Sequence, residues 1–253
     1  MFSLADGSRR SAADGSDVCD VQARSFVLGT RGQGYTFQQF GTARYATVRF
    51  RPGGLAAFVR VPLAELTGIY APLECIWERA ATVALEAQLA ACDSHIAQAA
   101  LLNRALLARL APPDHLARML HAVQQIERAS NMPNMAMLAA ETNLSQKHFE
   151  RLFQRYVGFR PNLHARIVRF QRALGAGMRS ADSLSMLAHR SGYYDQAHFT
   201  REFKHFAGLT PGEFFAFEHR FITLTNPPKS DPTIQNNRSM LVDSIQYATL
   251  PTS

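Results

Sequence analysis

No histidine precedes His95, the cysteines Cys19, Cys75 and Cys92 lie far apart, and no run of about eighteen uninterrupted apolar residues occurs. The first absence excludes a cupin-type metal centre in the N-terminal strand region, which would need histidines and a carboxylate converging from strands. The second leaves neither a disulfide framework nor a CxxC metal site and predicts reduced thiols. The third is joined by an N-terminus, Met1-Phe2-Ser3-Leu4-Ala5-Asp6, that lacks a basic stretch followed by an apolar one. Together they predict a cytoplasmic chain without a membrane partner. Catalytic signatures are missing as well. There is no GxSxG, Walker A or HExxH pattern, and Gly29-Thr30-Arg31-Gly32-Gln33-Gly34 lacks the third glycine and following helix of a dinucleotide site. An enzyme, a cofactor and a bound metal are therefore not expected.

What is present is an ordinary composition with a basic excess. Of 253 residues 47% are apolar and 19% charged, which suits a folded core and, at this length, two domains. The formal charge of +7 admits an anionic partner, although an excess of that size also suits a solvated surface. Arg and Lys number 11 against 9 Asp and Glu up to Leu110, 14 against 9 from Ala111 to Thr225, and 2 against 2 from Asn226 onward. Between Ser145 and Arg179, Lys147, Arg151, Arg155, Arg160, Arg166, Arg169, Arg172 and Arg179 are opposed only by Glu150. That segment is the electrostatic footprint.

The N-terminal region reads as a small β-rich unit. Ser25 to Leu28, Tyr35 to Phe40 and Tyr45 to Phe50 are strand signals punctuated by glycine, and Thr47, Arg49 and Arg51 alternate with Ala46, Val48 and Phe50. This strand region is short for a β-barrel and starts close to Met1, which leaves an incomplete barrel or an upstream start codon as the two expectations. From Pro62 the pattern turns helical, with amphipathic stretches over Ala80 to Ala91 and Ser94 to Leu110, until Pro112-Pro113 marks a boundary. A helix from about Asp114 to Ala129 follows. The expected fold is α+β: a β-rich then helical domain over 1–111, an all-α domain over 112–225, and a polar, disordered tail over 226–253.

Within the all-α region a pattern repeats fifty positions apart. His148, Phe149, Arg151, Phe153, Gly158 and Pro161 recur as His198, Phe199, Arg201, Phe203, Gly208 and Pro211. In the first copy Phe149, Leu152, Phe153 and Tyr156 form one apolar stripe of a helix capped by Ser145 and stopped at Gly158. Met135 to Thr142 makes a shorter helix ahead of it, and Asn143-Leu144 is the turn. The second copy has Leu184 to Arg190, a turn over Ser191 to Tyr194 that is one residue longer, and a helix from Asp195 to Phe206. Each copy is a helix-turn-helix candidate, and Pro161 to Leu174 is a basic helix joining them.

Met137 to Phe214 resembles the DNA-binding region of AraC/XylS-type transcription regulators, most specifically over Ser191-Gly192-Tyr193-Tyr194-Asp195-Gln196-Ala197-His198-Phe199-Thr200-Arg201-Glu202-Phe203-Lys204 and Gly208 to Phe214. Val48 to Phe58, with Val61-Pro62-Leu63-Ala64-Glu65-Leu66 and Leu73-Glu74-x-x-Trp77, is similar to a poorly characterised N-terminal domain of some such regulators. The resemblance implies two recognition helices in adjacent major grooves about 34 Å apart. It implies DNA contacts from Gln146, Lys147, Glu150, Arg151 and Arg155 in the first helix. In the second they fall to Gln196, Ala197, Thr200, Arg201 and Lys204. Arginine suits guanine, glutamine suits adenine, and Ala197 can offer only an apolar contact to a thymine methyl. Lys204 and Arg155, near helix ends, suit phosphate. Double-stranded DNA is the implied partner, with a small-molecule effector or a second copy of the chain at the N-terminal domain, and RNA polymerase in the case of an activator.

Other readings of the same residues stay open. Arg151 and Arg201 also suit scaffold salt bridges, and the basic joining helix also suits a solvated face. His148 and His198 suit packing or helix-start hydrogen bonding better than ligation. At the level of the chain, a DNA-binding regulator without ligand sensing and a β-domain enzyme that binds a small molecule are the alternatives.

Overall fold

The computed structural model describes residues 24–32, 45–180 and 182–216 in full, together with the backbone of the strands outside those ranges. Short strands dominate the N-terminal region: β1 (Phe2–Ser3), β2 (Ser8–Ala12), β3 (Cys19–Val21), β4 (Phe26–Leu28), β5 (Tyr35–Gln38), β6 (Ala43–Phe50) and β7 (Tyr70–Pro72). With a late strand, β8 (Val242–Leu250), they pair antiparallel in three small sheets, ordered β1-β6-β8, β3-β2-β5 and β4-β7. Strand β6 is buried at Tyr45 and Ala46, half-buried at Thr47, Val48 and Phe50 and exposed at Arg49, so the strict alternation expected from its sequence is not kept.

Strand β8 (Val242–Leu250) pairs with β6 in register from Ala43↔Leu250 to Phe50↔Val242, with a shift between Arg49 and Phe50. This departs from the disordered tail expected from the sequence. The reason lies in a short period-2 run that the polar surroundings conceal: Ile245, Tyr247 and Thr249 are β-branched or aromatic and stand at alternate positions. The remainder of the tail, 226–241 and 251–253, lies outside the described residues.

Two helices back the strands. Helix α1 (Arg79–Ala90) and helix α2 (His95–Leu107) contribute Leu85, Leu89 and Leu102 to a cluster with Ala46 and Leu73. The buried amide of Gln98 donates to the carbonyls of Leu89 and Cys92, both at 3.2 Å, and so satisfies the C-terminal end of α1. Ser25 donates its hydroxyl to the Glu86 carboxylate, tying β4 to α1.

Helix α3 (Leu116–Arg128) belongs to two cores at once. Leu116 and Leu120 enter the cluster of Ala56, Ala57, Phe58, Leu63 and Leu66, whereas Met119, Ala122, Val123 and Ile126 enter the cluster of Phe149 and Phe153. Pro112-Pro113 thus punctuates the chain without dividing its packing. The helix starts at Leu116 because His115 sits in the left-handed region at φ 65°.

Six helices then build the repeats. Helix α4 (Met135–Glu141) and helix α5 (Gln146–Val157) form the first pair, helix α7 (Leu184–Arg190) and helix α8 (Gln196–Ala207) the second. Helix α6 (Pro161–Gly177) joins them, three residues longer than its sequence pattern suggests, and helix α9 (Pro211–Ala216) follows the second pair. The second pair has its own core, with Ala173 of α6, Leu187, Ala188, Tyr193, Phe199 and Phe203 all buried.

Candidate nucleic-acid interface

Each helix pair is fixed by the same local devices. The Ser145 hydroxyl accepts from the His148 backbone N–H at 3.4 Å, and the Asp195 carboxylate accepts from that of His198 at 2.6 Å. Gly158 and Gly208, at φ 96° and 79°, close the helices in the left-handed conformation that glycine adopts without penalty. Tight turns precede both helices. Asn143 at φ 54° and Gly192 at φ 74° hold equivalent places, Leu144 and Tyr193 follow them inward, and the extra residue of the second turn, Tyr194, is 93% exposed.

The apolar stripes face inward as a helical period requires. Phe149, Phe153, Phe199 and Phe203 are all 0% exposed, with ring centroids 5.7 Å apart in the first pair and 5.5 Å in the second. The polar faces are left outside. On α5, Gln146, Lys147, Arg151 and Arg155 are exposed and Glu150 is half-buried, its carboxylate accepting from the Gln146 amide at 3.0 Å. On α8, Gln196, Ala197, Arg201 and Lys204 are exposed and Thr200 is half-buried. All ten residues therefore lie on the outward sides of two helices. Arg151 and Arg201 make no salt bridge among the described residues, so the scaffold reading of these two gains no support.

The joining helix behaves differently from its sequence reading. Arg166 donates to one Glu202 carboxylate oxygen through Nε at 2.7 Å and Nη2 at 2.6 Å, and Arg169 donates to the other at 2.9 Å. The Arg169 guanidinium also lies 4.3 Å over the Tyr193 ring and donates to the Gly192 carbonyl at 3.4 Å. Arg172 donates to the carbonyls of Glu127 and Ala129 at the end of α3. Three of the basic residues counted as footprint are thus engaged inside the domain. Burial pushes the Glu202 carboxyl up, but hydrogen bonds from Arg169 and Arg166, with their charges, hold it below the usual carboxylate range. Burial also drives Tyr193 up to about 12, against the charge of Arg169.

Residues 138–216 match the helix-turn-helix domain family. The matched segment takes in both helix pairs, from within α4 to the end of α9. An uncharacterized HTH-type transcriptional regulator of Haemophilus influenzae is 29% identical over 89 residues, which cover 35% of this chain and 30% of that protein. The chain therefore matches under a third of that relative's length. Among solved structures, the C-terminal domain of AraT, a response regulator from Geobacillus stearothermophilus, is 21% identical. That match covers 39% of this chain and 84% of the other, with a TM-score of 0.37. A transcriptional regulator with an AraC-type DNA-binding domain from Chromobacterium violaceum is 23% identical, covering 40% and 90%, with a TM-score of 0.36.

The helix-turn-helix domain is seated on the N-terminal region through its first unit. Thr67, after a short 3-10 turn at Leu63–Leu66, donates its hydroxyl to the Gly158 carbonyl at 2.9 Å, and Tyr156 packs into the cluster around Phe58 and Leu120. Neither this seat nor the Glu202 pairing was visible in the repeat pattern. A single signal pointed to Glu202: fifty positions earlier the same buried place is held by the apolar Leu152. Among the described residues no helix is long and apolar enough to cross a membrane.

Proposed function

We propose that the chain is a transcription regulator that binds a specific duplex site, with α5 and α8 entering successive major grooves. The observation that carries this reading is the pairing of two identically framed helices with outward faces of different composition. At fifty-residue offsets, Gln146 and Gln196 match and Arg151 and Arg201 match, whereas Lys147 faces Ala197 and Glu150 faces Thr200. A shared frame with unlike faces suits an asymmetric site. In this reading Arg151 and Arg201 take guanine edges, Gln146 and Gln196 adenine edges, Ala197 a thymine methyl, and Arg155 and Lys204 phosphates. Lys147, Glu150 and Thr200 complete the two reading faces.

Footprinting on genomic fragments against competitor DNA tests the proposal, and a chain that protects no site sinks it. Arg201→Ala is expected to weaken specific binding by about 1–3 kcal/mol and to relax discrimination at one position. A folded variant that discriminates as before would return Arg201 to the scaffold. Affinity should also fall steeply with salt, because phosphate contacts release counterions.

For the N-terminal region the role is modulation, through a bound small molecule or without one. Among the described residues, one apolar cavity, bounded by Phe26, Val48, Leu55, Trp77 and Leu102, has a volume of about 40 Å³. A benzene-sized guest occupies a cavity of about 150 Å³. Thermal-shift measurements on the whole chain with a metabolite panel test this, and a saturable rise in Tm would favour the sensing alternative.

A further inference from the structure

The basic joining helix presents arginines at positions 166, 169 and 172, and each has a partner on another element. Arg172 grips the end of α3, beside the first unit. Arg166 and Arg169 converge on one carboxylate of the second recognition helix, Glu202, whose side chain is 9% exposed. The contacts extend around that helix: Arg166 lies 5.5 Å from the Phe206 ring, and Arg169 stacks on Tyr193 at the turn. The first unit has no such arrangement, because Leu152 fills the equivalent place with an apolar side chain. A forked, charge-assisted contact is directional, whereas apolar packing tolerates small rotations. Glu202 lies between Arg201 and Phe203, facing away from the exposed side of α8, so it has no route to DNA itself.

We propose that Glu202, held by Arg166 and Arg169, is a positioning residue that fixes the angle of the second recognition helix against the joining helix, and thereby the spacing between half-sites that the chain accepts. This rests on α5 and α8 being the DNA-reading helices. The experiment is selection of binding sites by the whole chain from a pool of random duplexes, followed by affinity measurement on duplexes whose two sequence blocks are one base pair closer or further apart. The wild-type chain is expected to enrich two blocks at one fixed gap. A wild-type chain that enriches no two-block motif sinks the underlying reading rather than this proposal. Glu202→Gln is expected to enrich the same blocks over a spread of gaps, with the preference for the best spacing over its neighbour falling from about tenfold to about twofold. A folded Glu202→Gln chain that keeps the gap distribution overturns the proposal, even if its overall affinity drops, because a merely stabilising role would lower affinity at every spacing alike. Should circular dichroism show that variant unfolded, Arg166→Leu decides instead. Arg166 is 38% exposed, its loss leaves the Glu202–Arg169 pair, and a smaller spread of gaps is expected. An unchanged gap from Arg166→Leu then overturns the proposal.

Discussion

Gly158 and Gly208 close equivalent helices at φ 96° and 79°, yet their surroundings differ. A methyl group added at Gly158 would meet the Thr30 hydroxyl at 2.5 Å and the Thr67 hydroxyl at 3.0 Å, whereas one added at Gly208 would meet nothing within 4 Å. The first repeat is thus seated on the N-terminal region at the C-terminal end of α5. The second is attached through the joining helix, by the carboxylate of Glu202 and the rings around Phe203. The two copies share a frame, and each has its own support.

That contrast can be broken most directly at the two glycines. Gly158→Ala combines a left-handed residue, at ~1–2 kcal/mol, with an overpacked seat, at ~1–3 kcal/mol, for a loss of about 4 kcal/mol in urea denaturation. Gly208→Ala should lose only the conformational part, ~1–2 kcal/mol. Equal losses at the two positions would erase the distinction between the seated and the free unit.

A second difference lies three residues beyond the prolines. The repeat places Phe214 where the first copy has His164, which is 5% exposed with its ring 5.7 Å from that of Phe153. Burial lowers the His164 pKa from 6.5 to about 4. Between those values the unfolded chain takes up a proton that the folded chain refuses, so stability is full above about pH 6.5 and falls as pH drops toward 4. The loss reaches ~3 kcal/mol at the acid end of that window. His164→Phe should flatten this dependence, as followed by denaturant midpoints across the window. A slope that survives the substitution would assign it to other groups.

The helix caps give the smallest expected contrast. Asp195→Ala removes a short hydrogen bond and a negative charge at a helix N-terminus, about 1–2 kcal/mol, whereas Ser145→Ala removes a longer, neutral one, about 0.5–1 kcal/mol. Thermal unfolding of the two variants measures both, and the reverse order would count against the charge contribution.

Caps, stripes and stops were legible because each is a local signal. Ser145, Asp195, Gly158, Gly208 and Pro161 act within a turn or two of their own positions, and the helices end where those residues stand. The exposed faces of α5 and α8 followed from helical period alone. The misreadings were long-range. Arg166, Arg169 and Arg172 count as surface charge until Glu202, thirty-odd positions away, and the end of α3 are brought to them. The strand at Val242–Leu250 is legible only as a partner for β6, some two hundred residues earlier. The start of α3 shifted by the backbone of one residue, His115, whose left-handed conformation is uncommon even for histidine and so is only weakly announced by its type.

Helix α3 also determines how the gene can be cut. A fragment ending before the two prolines would leave Ala57, Leu63 and Leu66 without Leu116 and Leu120, while a fragment beginning after them would carry those two leucines and Tyr156 into water uncovered. Either piece, expressed alone, is expected to aggregate or to recruit a foreign apolar surface, so chimaeras of this protein should keep the N-terminal region, α3 and the first helix pair together.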